Sequence, residues 1–317
     1  MNSCRYCKSN DVVELYPAPD IRNRIWYLFK CNTCNAYSLL PNPSPDDLKV
    51  AYDNSYYGKG INKFGFSIES FIDYFRKKKA KKLSKLISPS AKILDIGCGN
   101  GRFLHHFSSF GNNFELYGTE IEGGSAARAK SIKEINLKIG SVEELDFNPE
   151  FFDLITLIHV FEHLQNPEAT LRVINKIIKK NGLLLISFPN ISSWQSKIFK
   201  SNWYHLDPPR HLIFFSPADF ISIMEKMGFE MVSQKWCSFE QNPYGWIQSI
   251  LNGLCNKREV LYERLKGNNT YASEYSMINI FFQKIFFIAL LPIFTIFDPI
   301  ESFFKRSATV QFIFKKK

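Results

Sequence analysis

An α/β fold, with a parallel sheet covered by helices on both faces, is what three observations in the chain predict. Short apolar runs alternate with amphipathic stretches from Ile93 onward, the signature of strand–helix–strand units. The first run, Ile93-Leu94-Asp95-Ile96, ends in Gly97-Cys98-Gly99-Asn100-Gly101, and Arg102–Phe107 then reads as a helix start. Glycines there let the backbone turn tightly and approach a ligand without a Cβ in the way, while the helix points free N–H groups at it. At 317 residues the chain can bury one full α/β core and still carry a smaller module.

The smaller module comes first. Cys4-Arg5-Tyr6-Cys7 and Cys31-Asn32-Thr33-Cys34 stand 23 residues apart. Two such turns can bring four thiolates around one tetrahedral ion, so Cys4, Cys7, Cys31 and Cys34 are the expected ligands of a structural Zn2+. Redox-active or simply buried cysteines are the alternative. Val12–Tyr16 and Ile25–Lys30 have strand-like composition, as a small zinc ribbon requires. Lys8 and Asn35 stand where a glycine often follows the second cysteine. Pro41-Asn42-Pro43-Ser44-Pro45 reads as a linker, which divides the chain into a module at 1–45 and a larger domain at 46–317.

Within that domain a helix is expected over Phe64–Leu86, carrying the basic run Arg76–Lys82. Seven strands are expected: Lys92–Ile96, Glu115–Thr119, a short one at Ile139–Gly140, Phe152–His159, Leu183–Phe188, Phe229–Trp236 and Thr309–Phe314. A helix at Pro167–Lys180 should end at Asn181-Gly182. Between the last two strands, 238–307 exceeds what a minimal fold needs. Its uncharged core, Ile285–Phe297, would span only ~20 Å as a helix, short of a ~30 Å hydrocarbon layer, and Pro292 should kink it. A buried helix, a membrane span and an interfacial segment all remain open, and Lys305-Arg306, Lys315-Lys316-Lys317, Phe303 and Phe304 favour the interface over 279–306.

Net charge is +10, so an anionic partner is expected: a phosphorylated substrate, an acidic lipid surface or, less favoured, nucleic acid. Seven cysteines, four of them in C-x-x-C pairs, argue for metal ligation in a reducing compartment rather than for disulfides. Met1–Cys4 starts no secretion signal. The expected address is the cytoplasm, including the inner face of the cell membrane.

The loop Asp95–Gly101, with an acidic residue two positions before the first glycine, resembles motif I of class I S-adenosylmethionine (SAM) methyltransferases. Glu120 lies 23 residues after Gly97, the distance one helix and one strand require, and accepts the ribose hydroxyls in that resemblance. Gly140-Ser141-Val142-Glu143 occupies the adenine-bracketing position, with Ser141 where aspartate is common and Glu143 as a substitute acceptor. The run Phe152-Asp153 to Pro167 resembles the motif IV region of small-molecule members, and Asn181–Asn190 the fifth-strand element. The resemblance covers about residues 45–236 plus the last strand, and points to the groups called type 11, 12 and 23. It implies a Rossmann-like seven-stranded sheet and SAM as cofactor. The implied SAM contacts are Asp95, Gly97, Cys98, Gly99, Gly101, Glu120, Ser141, Val142, His159 and Glu162.

For an oxygen acceptor, a base must remove a proton as the methyl arrives, and imidazole suits that near neutrality. His163, beside Glu162, and His205 and His211, in the aromatic loop Trp203–Leu212, are the three candidates. The favoured expectation is methyl transfer to a saccharide or lipid-linked glycan at the membrane surface. An RNA methyltransferase is the first alternative, since some ribosomal RNA guanine methyltransferases join a zinc ribbon to this fold. A non-catalytic zinc- and SAM-binding adapter is the second.

Overall fold

The structure, a computed structural model, describes residues 2–52, 66–111, 113–266, 271 and 275–317. Its centre is a seven-stranded sheet. Five strands are parallel: β4 (Lys92–Ile96), β5 (Glu115–Glu120), β6 (Ile135–Ile139), β7 (Phe152–Ile158) and β8 (Ile178–Pro189). Then β11 (Thr309–Lys316) pairs antiparallel with both β8 and β10 (Phe229–Lys235), giving the order β10-β11-β8-β7-β4-β5-β6.

Alternation along each strand divides the core in two, as a pleated sheet with both faces covered demands. Leu94, Ile155, Leu157, Leu184, Ile186 and Phe312 face one way, against α5 (Pro167–Ile177) and α7 (Pro217–Lys226). Ile93, Leu154, Leu185 and Ile313 face the other, against α2 (Phe66–Ser84) and α3 (Arg102–His105). The expected helices on both faces are there. Phe64, where the sequence starts α2, lies outside the described residues.

Several boundaries move by one to five residues, two of them for reasons the packing makes plain. The third strand is Ile135–Ile139 rather than Ile139–Gly140, because Asn136 and Lys138 break the apolar run without breaking the parallel pairing to β5. The helix α5 stops at Ile177, three residues early, and β8 begins at once. Asn181-Gly182 is therefore no helix cap. Asn181 takes a left-handed φ of 63° inside the strand, where the register against β7 slips between Phe152 and Leu154.

The cysteine region forms β1 (Val12–Pro19), β2 (Ile25–Cys31) and β3 (Tyr37–Leu40), an antiparallel meander. A fourth strand, β9 (Ile213–Phe214), joins β3 from far along the chain, and Cys4, Cys31 and Ala36 pack in the same core cluster as Phe215 and Phe220.

The segment before β11 carries α8 (Asn242–Leu254), α9 (Val260–Leu265) and α10 (Met277–Phe303). The last is 27 residues, about 40 Å long, and runs through Pro292 and Pro299. Thr295 Oγ1 donates to the Leu291 carbonyl at 2.6 Å within that stretch. The sequence understated this helix because Lys284, Asp298 and Glu301 interrupt its apolar run. Asp298 and Glu301 are fully buried, and Asp298 accepts from Asn242 Nδ2 and from the Ser238 amide. By length and composition α10 could cross a membrane, and only 11% of its most apolar window is buried.

Candidate active site and cysteine cluster

A cavity of about 420 Å3 opens at the carboxyl ends of β4, β7 and β8, where open α/β sheets bind ligands. Its floor is the turn after β4. Gly97, Gly99 and Gly101 have φ of 67°, 59° and 75°, all left-handed, which glycine adopts without strain. Their surroundings differ. A Cβ on Gly97 would lie 2.7 Å from Val160 Cγ2, and one on Gly101 would lie 2.9 Å from Ile135 Cδ1. A Cβ on Gly99 would meet nothing within 4 Å among the described residues. Gly97 and Gly101 are glycines for packing, whereas Gly99 keeps the cavity floor bare.

Acidic groups hold this turn. Asp95 is buried and accepts from Thr156 Oγ1 at 2.5 Å. Burial pushes its carboxyl up to about 7 despite that bond. Glu120 Oε2 accepts from the Gly99 amide at 2.6 Å, so the carboxylate expected for ribose hydroxyls already sits against the glycine turn. Burial raises it as well, while the amides of Gly99 and Ile121 pull it down. Cys98 lines the cavity, its amide donating to the Thr119 carbonyl at 2.9 Å. Gly101, Glu120, Ser141 and Val142 do not line the cavity; Gly101 starts α3 and Val142 is packed in the core. Glu143, offered as a substitute adenine acceptor, takes the Thr170 hydroxyl of α5.

The opposite wall is imidazole and carboxylate. His159 ends β7 at φ 54°, a left-handed value that a non-glycine residue adopts at a cost, and its Nδ1 lies 3.3 Å from Glu162 Oε1. Glu162 is 1% exposed, and its Oε2 has no hydrogen-bond partner among the described residues. Burial works to raise it, yet the bond and charge of His159, with the charges of His163 and His211, outweigh burial and bring it to about 2. His163 Nδ1 lies 3.0 Å from the Arg210 carbonyl and 2.9 Å from the Tyr52 hydroxyl. Burial, with His211 beside it, pushes His163 down to about 4. His211 Nδ1 lies 2.7 Å from the His205 carbonyl, and the rings of His163 and His211 are 4.7 Å apart. Asp207 is clamped by Arg210, at 2.9 and 3.1 Å from its Nε, and lies 3.8 Å from His211 Nε2; burial would raise Asp207, but Arg210 takes it to about 2.

All three candidate bases line the cavity, but they are not equivalent. His163 and His211 adjoin Glu162. His205, pushed to about 3 by burial and His211, places its Nε2 3.0 Å from where a Cβ on Gly245 would sit, facing α8. Sequence spacing missed Lys79, Lys235, Glu240 and Tyr262, which also line the cavity. Lys79 sits in the basic run of α2, and the other three come from segments more than 130 residues beyond the glycine turn, so no local pattern marks them.

The four module cysteines converge: Cys4 Sγ is 3.5 Å from Cys34 Sγ and Cys7 Sγ 3.5 Å from Cys31 Sγ, with all four within 4.8 Å of one another. Lys8 and Asn35 adopt φ of 61° and 59°, the conformation a glycine would take at those knuckle positions. Their amides donate to the Cys4 and Cys31 carbonyls at 3.0 Å, which holds both turns closed without glycine.

Residues 68–234, more than half of the chain, match the family model described as a methyltransferase domain. A ubiquinone biosynthesis O-methyltransferase of Xanthomonas campestris is 28% identical over 111 residues, 34% of this chain and 46% of that protein. The chain thus spans about half the length of that relative. An uncharacterised protein of Rickettsia prowazekii is 27% identical over 59% of this chain and 70% of its own length. Among solved structures, a proposed sarcosine dimethylglycine methyltransferase of Galdieria sulphuraria superimposes with a TM-score of 0.51 at 15% identity, over 86% of this chain and 99% of that one. The [4+2]-cyclase SpnF superimposes with a TM-score of 0.50 at 12% identity, over 76% and 80%. These likenesses speak to the fold.

Proposed function

The chain belongs to the methyltransferase-domain family as a class I SAM-dependent enzyme, and from that premise we propose that it methylates a hydroxyl of a saccharide or lipid-linked glycan at a membrane surface. The observation that carries the reading is the cleft itself, a bare glycine floor facing a wall of buried imidazoles and carboxylates.

The residues present fit SAM. Gly99 leaves the space a ligand needs, the buried Asp95 stiffens the turn through Thr156, and Glu120, held against the Gly99 amide, is the carboxylate we assign to the ribose hydroxyls. SAM bound there supplies a methyl group on a positively charged sulfur, already a strong electrophile. What the protein must add is alignment, exclusion of water and a path for the acceptor's proton. Glu162 Oε2 has no hydrogen-bond partner among the described residues, and His163 and His211 adjoin it, so this wall is where the acceptor hydroxyl is held and activated.

Two further features support a lipid-linked, anionic substrate. Lys79 and Lys235 line the cleft. On α10, Phe281, Phe282, Ile285, Ile288, Ile293, Ile296, Ile300 and Phe303 are exposed along one helix, an apolar area suited to the headgroup–acyl boundary. The four cysteine thiols suit a structural zinc, with no position left over for catalysis.

The test is methyl-labelled SAM given to the purified protein with membranes carrying lipid-linked saccharides, or with total RNA. Label in the lipid-linked saccharide supports the reading. Label in RNA, or a protein that fails to float with vesicles, overturns the acceptor.

A further inference from the structure

We propose that Glu162, His163 and His211 bind one divalent first-row transition-metal cation at the acceptor end of the cleft, where the cation takes the acceptor oxygen as a further ligand. This rests on the methyl-transfer reading above.

One ligand atom from each residue lies within 4.8 Å of the other two. Ligand bonds to such cations are near 2.1 Å, so a shift of at most about 0.7 Å per side chain would let all three meet one ion. Glu162 is fully buried, and its Oε2 has no partner among the described residues. A buried carboxylate oxygen left unpaired is costly, and a cation is the natural group to satisfy it.

The imidazoles are oriented for the same purpose. His163 Nδ1 lies 3.0 Å from the Arg210 carbonyl oxygen, and His211 Nδ1 lies 2.7 Å from the His205 carbonyl oxygen. A carbonyl can only accept, so each Nδ1 carries the hydrogen, shared in His163 with the nearby Tyr52 oxygen. Each Nε2 is left with its lone pair. A ligating imidazole is held in this way, its second nitrogen donating to a backbone carbonyl. Asp207 Oδ2, 3.8 Å from His211 Nε2, adds negative charge on the same side.

Two imidazoles and one carboxylate suit Mn2+, Fe2+, Co2+ or Zn2+ better than Mg2+ or Ca2+, which prefer oxygen ligands alone. Three protein ligands leave positions open toward the cavity. This separates the site from the four-thiol cluster, whose ligands are complete. A cation here would orient the acceptor hydroxyl and lower its pKa.

The test uses the full-length protein with zinc retained on the cysteines and Mn2+ as the probe, read by electron paramagnetic resonance. About one Mn2+ per chain should bind, with nitrogen hyperfine coupling from imidazole. Glu162→Gln and His211→Asn should each weaken Mn2+ binding at least about tenfold, while His211→Asn keeps its affinity for S-adenosylhomocysteine. No bound Mn2+ at about 1 mM, no nitrogen coupling, or equal affinity in both variants overturns the cation site. If the wild-type chain binds S-adenosylhomocysteine but not Mn2+, the cation proposal alone falls. If S-adenosylhomocysteine does not bind either, the methyl-transfer reading falls with it.

Discussion

The two walls of the cleft are made of different material. The floor after β4 is backbone: three glycines in left-handed conformations, with Asp95 and Glu120 spent on holding the turn. The facing wall is side chain: Glu162, His163, His205, Asp207 and His211, all largely withdrawn from water. A backbone surface is sensitive to added volume, and here pH reaches it only through the buried carboxyls of Asp95 and Glu120 that hold it. A buried ionisable surface tolerates isosteric change but responds to protonation and to loss of a partner. Cofactor affinity and proton handling should therefore separate under mutation.

The largest effect is expected at Gly99. Gly99→Val puts a side chain into the open floor, and affinity for S-adenosylhomocysteine should fall more than about 100-fold, near 3 kcal/mol. The melting temperature should move by only a few degrees, since nothing among the described residues lies within 4 Å of the added Cβ and the left-handed φ costs about 1–2 kcal/mol. Gly97→Val reverses the pattern, because its Cβ meets Val160 at 2.7 Å and the fold must yield. Equal thermal effects at both positions would erase the distinction between packing and cofactor glycines.

On the facing wall, His163→Asn should lower kcat by about 100-fold and leave S-adenosylhomocysteine affinity within threefold of wild type, by calorimetry. A parallel loss of both would mean that the two walls do not act separately.

The pH response sharpens the same contrast. His163 is held near 4 and His205 near 3, below the free value of 6.5. Below pH 6.5 the unfolded chain therefore binds more protons than the folded one at these residues. Their contribution to stability is present above pH 6.5 and is lost as pH falls toward 4 and then 3. Asp95, Glu259 and Glu301, raised by burial to about 7, 7 and 8, act in the opposite sense over the same range. The test is therefore the difference between two chains: from pH 7 to pH 5 the melting temperature of His163→Asn should shift upward relative to wild type, and an unchanged difference would remove His163 from the pH response.

The smallest effect on the cleft should come from outside it. Ile288→Gln, Ile296→Gln and Phe303→Gln together remove apolar side chains that are 68%, 74% and 81% exposed. Affinity for anionic vesicles should fall at least about tenfold, with melting temperature and S-adenosylhomocysteine affinity unchanged. Unchanged vesicle binding would rule out α10 as the membrane contact.

How far each part could be read from the sequence follows from how it is built. Asp95, the glycines and Glu120 sit on one strand–turn–helix–strand unit, so their spacing along the chain is dictated by their spacing in space. The cysteine pairs were legible for the same reason, even with Lys8 and Asn35 in glycine's place. That Glu143 also takes the Thr170 hydroxyl of α5 is a contact nothing local in the sequence reveals. Lys235, Glu240 and Tyr262 reach the cavity only because β10 and β11 close the sheet beside β8. The length of α10 was hidden by Asp298 and Glu301, which read as interruptions until the packing buries them.

By itself the sequence determined the α/β class, the SAM turn with its acidic partner and the four cysteines. Each of these is local, and backbone geometry ties local spacing to position. Tertiary structure alone decided which histidines share a site with Glu162, which one turns toward α8, and which face of α10 is bare. Those outcomes depend on contacts between segments about 40 to 56 residues apart, and no periodicity along the chain encodes them.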